Sequence, residues 1–166
     1  MRFLCLVVSL LLATTGGLPG EIQKEPFFRS LLGSWEGKGT LTNADGERTQ
    51  IEEEWSAAFG DDATFAMEGT RQWGDDRQEF RWEYSFNPTS ELYECLYWHT
   101  GMEEKLRFEV SLTETTVELR APFGDPGSEL LIRNTKKADE ISGEVTMTSA
   151  SGNELLTIEM VHKKKD

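Results

Sequence analysis

The chain has 166 residues, enough for one domain with a sizeable core. It carries 30 Asp and Glu against 17 Lys and Arg, a net charge of −13. Such a surface repels phosphate backbones and anionic lipid, so nucleic acid is not an expected partner.

Residues 1–20 read as a secretory signal peptide. Arg2 supplies the positive start, positions 3–13 are apolar apart from Ser9, and Thr14, Thr15, Gly16 and Gly17 supply small residues for cleavage. The apolar run is too short to span a bilayer. The expectation is a secreted or periplasmic domain, 21–166, with no stable membrane insertion after cleavage. That domain holds a single cysteine, Cys95, so its stability must come from the core and not from an internal disulfide.

Positions 26–32 read as one or two helical turns. Pro26 suits a first helical position, and Phe27, Phe28, Leu31 and Leu32 fall at helical spacing. No other segment reads as helix. Strand-like segments follow at 34–42, 48–59, 64–73, 78–86, 92–99, 105–112, 116–121, 129–134, 140–148 and 155–164. Asp-Gly, Gly-Asp and Asn-Pro turn signals separate many of them, the turn chemistry of short hairpins. The longest loop spans 122–127. Short strands joined by hairpins, with no long crossover, predict an all-β fold: a single antiparallel up-and-down barrel of about ten strands with a short N-terminal helix.

Alternation assigns faces. Phe80, Trp82, Tyr84 and Phe86 oppose Glu79, Arg81, Glu83 and Ser85; Leu106, Phe108, Val110 and Leu112 oppose Arg107, Glu109 and Ser111. Ile51, Trp55, Ala57 and Phe59 share a face with Glu53. A buried carboxylate needs a partner, and an inward arginine would supply one. In 92–99, Leu92, Glu94, Leu96 and Trp98 form one face and Tyr93, Cys95, Tyr97 and His99 the other; both carry large groups, so alternation alone does not orient this strand. In the first strand Gly33, Trp35, Gly37, Gly39 and Leu41 lie together. Glycine inside a strand marks a close approach or a bend. Here it either leaves room for a ligand or lets the strand coil to close the barrel.

The segment Leu31-Leu32-Gly33-Ser34-Trp35-Glu36-Gly37-Lys38-Gly39 resembles the opening of lipocalin-like (calycin) barrels, with Gly-x-Trp after a short helix. The fuller Gly-x-Trp-x-Gly-x-Gly is similar to nitrobindin, a ten-stranded haem protein, and to exported bacterial domains of unknown function related to it in fold. Specific residues match at Gly33, Trp35, Gly37 and Gly39. The resemblance implies a ten-stranded barrel around a cavity. It also implies, for nitrobindin, a haem-ligating histidine near the start of the final strand. Here that stretch is Glu154-Leu155-Leu156-Thr157-Ile158, and His162 lies near the strand's end. The haem ligand does not carry over, and no cofactor is expected.

Other chemistry is sparse. Cys95 and His99 lie four residues apart on a strand, roughly 13 Å, too far for a thiolate–imidazole pair. No zinc spacing, nucleophile elbow, phosphate loop or dinucleotide fingerprint occurs. Asp61-Asp62 and Asp75-Asp76 read as solvated turn tips. The expected function is therefore binding without catalysis. The domain holds a small, partly apolar molecule in an aromatic-lined cavity, with Trp35, Gly37, Gly39, Glu53, Trp55, Met67, Trp82, Tyr84, Tyr97, His99 and Phe108 as ligand-binding residues. Two rivals stand beside it. One is a structural or protein-interaction module with a filled core, which a cavity of about 300 Å³ or more would disfavour. The other is an enzyme built from Glu53, His99 and tyrosines, which requires two of these within hydrogen-bond reach. Ligand identity and oligomeric state have no signature in the sequence.

Overall fold

The structure, a computed structural model, describes residues 20–60 and 63–165. The signal-peptide reading and Asp61-Asp62 fall outside the described residues. Two short helices, α1 (Glu21–Lys24) and α2 (Pro26–Leu31), precede ten strands. These are β1 (Gly33–Asn43), β2 (Arg48–Phe59), β3 (Phe65–Trp73), β4 (Asp76–Asn87), β5 (Leu92–His99), β6 (Leu106–Leu112), β7 (Thr116–Pro122), β8 (Glu129–Lys137), β9 (Glu140–Thr148) and β10 (Glu154–Lys164). Each strand pairs antiparallel with its chain neighbours, and β1 pairs with β10 to close the barrel. Closure removes the exposed edges an open meander would leave.

Helix α1 was not expected from the sequence. It spans a single turn with no side-chain cap and forms because Ile22 buries completely, while Lys24 pairs with Glu21 at 2.7 Å. Context, rather than propensity, makes it helical. Helix α2 starts on Pro26, as the sequence predicted, and buries Phe27, Phe28 and Leu31.

Both helices belong to one end of the barrel. Phe28 packs on Phe65 (4.9 Å between centroids), Tyr84 (5.0 Å) and Tyr93 (6.2 Å), and the Tyr93 hydroxyl donates to Glu25 Oε1 at 2.6 Å. The Trp35 indole donates to the Leu31 carbonyl at 2.8 Å, tying the first strand to the helix before it. Trp35, Phe65, Phe108, Leu119, Val117 and Cys95 are fully buried. Burial pushes the Cys95 thiol pKa up, as befits a packed, inert group. The β1–β2, β3–β4, β5–β6, β7–β8 and β9–β10 turns lie at the opposite end, because β1 runs away from the helices.

Strand β5 turns Tyr93, Cys95, Tyr97 and His99 inward. Its other face is wetter: Leu92 is 59% exposed, and Trp98 is covered by Lys105 Nζ, 4.0 Å from its ring centroid, and by the Arg81 guanidinium at 5.5 Å. The cations shield an outward aromatic that the fold has no room to bury.

Candidate functional site

The barrel encloses a cavity of about 300 Å³. Its floor is Phe27 and Leu31 of α2, and its far rim includes Trp73, His99, Met102 and Phe123. The two walls differ in chemistry. Strands β2–β5 contribute Glu53, Trp55, Met67, Arg71, Phe80, Trp82, Tyr84 and Tyr97. Strands β6–β10 contribute mostly aliphatic groups, among them Leu106, Val117, Leu130, Ile132, Ile141, Val145, Ile158 and Met160. An aromatic, polar wall thus faces an aliphatic one.

The polar groups on the first wall form a connected set with His162 of β10. Glu53 is only 7% exposed. Its Oε1 accepts from Arg71 Nε, and its Oε2 lies 2.8 Å from Nε2 of His162, which is also 7% exposed. Arg71 Nη1 donates to the Tyr97 hydroxyl at 3.3 Å. The Arg71 guanidinium also lies 5.2 Å from the Phe80 ring centroid and 5.6 Å from that of Trp73. Tyr97 stacks on Trp82 with centroids 4.1 Å apart.

Register explains how Glu53 and His162 meet. Gly37 of β1 is paired with Glu53 on one side and with His162 on the other. The two side chains come from strands that are not neighbours, roughly 10 Å apart. They touch because the residue between them has no side chain. A Cβ on Gly37 would run into the His162 ring, and one on Gly39 would run into the Met160 sulfur and the Glu159 carbonyl.

Burial alone would raise the Glu53 pKa. The Arg71 guanidinium and the His162 hydrogen bond outweigh it and hold the carboxyl down at about 2, against an ordinary 4.5. Burial raises the Tyr97 phenol, with Arg71 opposing.

The sequence-derived candidates divide in two. Glu53, Trp55, Met67, Trp82, Tyr84, Tyr97, His99 and Phe108 line the cavity. Trp35, Gly37 and Gly39 do not. Trp35 is fully buried and stacks on Trp55 at 5.4 Å, 15° from parallel. The space beside the two glycines is taken by His162 and Met160, so it serves side chains of β10 and not a ligand. His99 sits at the rim, where its Nδ1 donates to the Thr100 carbonyl at 2.7 Å, and it makes no hydrogen bond to Glu53. Arg71 and His162 were not among the candidates. Both were legible: Phe65, Met67, Gly69, Arg71 and Trp73 share a face, as do Leu156, Ile158, Met160 and His162. A charged or polar group on an otherwise apolar face was the signal. No group of three or more His, Cys, Asp or Glu suited to hold a metal occurs among the described residues.

Gly37→Ala is expected to separate Glu53 from His162 and to cost about 1–3 kcal/mol by overpacking, read as a lower denaturant midpoint; an unchanged midpoint would show that the glycine carries no such constraint. Acid should expose the same cluster. Unfolded chains take up a proton as pH falls through about 4.5, while the native Glu53 stays ionised to about 2. Its contribution is therefore complete above pH 4.5 and is lost between there and 2, roughly 3 kcal/mol in all. Glu53→Gln should flatten the stability-against-pH curve in that window; a slope identical to that of the parent would refute the assignment.

Three solved structures place this geometry among known folds. An S-type phycobiliprotein lyase, CPES from Guillardia theta, aligns over 89% of this chain and 98% of its own at 11% identity, with a TM-score of 0.57. Rv2717c from M. tuberculosis aligns over 82% of this chain and 94% of its own at 18% identity, with a TM-score of 0.59. A protein of unknown function from the DUF3598 family of Nostoc punctiforme aligns over 83% of this chain and 49% of its own, so this chain spans about half its length; the identity is 10% and the TM-score 0.55. No protein-family model and no curated protein matches the sequence. At these identities the likeness is one of architecture, and it agrees with the strand order: the fold is a closed, ten-stranded antiparallel barrel of the lipocalin-like (calycin) kind.

Proposed function

We propose that this protein binds a small, largely apolar, uncharged molecule inside the barrel and performs no catalysis on it. The observation that carries the reading is the cavity of about 300 Å³, walled by aromatic and aliphatic side chains with a few convergent polar groups. That combination and size are typical of small-molecule sites. It weighs against the filled-core module, since the space runs from α2 to the far rim. The phycobiliprotein lyase shares the architecture, and its name ties it to phycobiliproteins, a compatible precedent at the level of fold.

Charge at the mouth argues for a neutral ligand. The turns at the rim end, with their flanking residues, carry Asp45, Glu47, Asp75, Asp76, Glu103, Glu104, Asp125, Glu129 and Glu154 against Arg48 and Lys105. This field repels anions on approach. Inside, Arg71 offers no free charge, because Glu53 neutralises it. A fatty acid or phosphorylated ligand therefore meets repulsion outside and no unpaired cation within. Export belongs to the same proposal and rests on the 1–20 segment.

A neutral planar fluorophore, 1-aminoanthracene, is expected to bind saturably at one site, with anthracene-1-carboxylate at least tenfold weaker; Trp82→Ala should weaken both. Absence of saturable binding would return the protein to the filled-core reading, and equal affinity for the carboxylate would remove the argument from the mouth. For export, intact mass of the protein from its native host should lack roughly the first 16–20 residues; a retained Met1 on soluble protein would refute it.

A further inference from the structure

One buried polar atom in the cavity wall has nothing to bond. Nδ1 of His162 is buried and has no hydrogen-bond partner among the described residues. The ring is more than nine-tenths buried and borders the cavity. Glu53 uses one oxygen on Arg71 and the other on His162. An ionised carboxylate can only accept, so Nε2 of His162 carries the proton in that bond.

The charge balance sets the other nitrogen. Glu53 and Arg71 already neutralise each other. A second positive charge on a buried ring would have no counter-charge, a costly arrangement in a site of low polarity. With its proton on Nε2 alone the ring adds no charge to that pair, and Nδ1 presents a lone pair. Trp55 meets the ring edge-on, with centroids 5.6 Å apart, and Gly37 leaves it no room to retreat toward β1. The acceptor is thus fixed in orientation as well as in tautomer. Leaving it unmade costs the full desolvation of the atom.

We infer that Nδ1 of His162 is the group that selects the ligand, and that the cavity takes a molecule carrying a hydroxyl or N–H donor on an otherwise apolar, planar body. The inference rests on the binding reading above and narrows it to donors. Asn134, two strands away on the same wall, lines the cavity but makes no bond to the ring, so the donor must come from outside the described residues. An ether, a hydrocarbon or any ligand whose sole polar atom is an acceptor leaves Nδ1 unpaired and is discriminated against for that reason.

Two probes of the same shape test this at pH 7.5: 2-naphthol, which has a donor, and 2-methoxynaphthalene, which keeps the oxygen but lacks it. Titrations followed by tryptophan fluorescence should give 2-naphthol at least a tenfold lower Kd in the parent protein, and a ratio below threefold in His162→Phe. Equal affinities in the parent would overturn the inference and leave the binding reading standing. Binding of neither would overturn both. A measurement that needs no variant covers the case in which His162→Phe fails to fold. In the ¹⁵N-labelled parent, the His162 Nδ1 resonance should lie in the unprotonated range and move upfield on addition of 2-naphthol but not of 2-methoxynaphthalene. A protonated Nδ1 in the free protein, or an unmoved resonance, would overturn the inference.

Discussion

A missing side chain organises this barrel. Gly37 lies between Glu53 and His162 in the strand register, and through that opening a carboxylate from β2 reaches an imidazole from β10. The contact spans the seam where the first and last strands close the sheet. Arg71 from β3 completes the charge balance, and Tyr97 from β5 extends the chain of hydrogen bonds. Groups from four strands are thereby held in one geometry. Buried ion pairs of this kind add little net stability over apolar packing, but removing one partner leaves a stranded charge. The cluster therefore constrains which arrangement is adopted more than it deepens the well. Gly39 and Gly143 repeat the device on a smaller scale, giving room to Met160 and to Asn134.

The interior is divided along its axis. Toward the helices it is packed with aromatic and aliphatic groups, with Phe28 wedged among Phe65, Tyr84 and Tyr93. From the floor that α2 makes with Phe27 and Leu31, the cavity runs toward the turns at the other end. The contrast between an aromatic wall carrying the polar cluster and an aliphatic wall opposite it gives a bound molecule two unlike faces to match.

Strand order and the inward faces of β2, β4 and β6 were legible because alternation is strict there and turn residues punctuate it. Strand β5 was not, because Trp98 and Leu96 on its outer face are as large as Tyr97 and Cys95 on its inner one. The structure resolves the choice through Lys105 of the following loop and Arg81 of the paired strand, which cover Trp98. Glu53 stood out as a carboxylate on an apolar face, and the arginine it called for proved to be Arg71. Its second partner could not be read locally: pairing with His162 depends on closure of the barrel, 109 residues away. The glycine row of β1 was conspicuous in sequence, yet its purpose lies in the neighbouring strand. Glycine announces that something comes close, and only the register says what.

Closure between the first and last strands also carries a consequence in time. β1 joins β10 in a register that pairs Trp35 with Lys164, so the most distant parts of the domain must meet before the sheet is complete. Until then the edges of β1 and β10 stay open, and Glu53 has no imidazole to meet. A chain emerging in order, N-terminus first, cannot assemble its cavity piecemeal. The cavity is complete only once that seam is made, so a chain without its last strand has no finished site to offer.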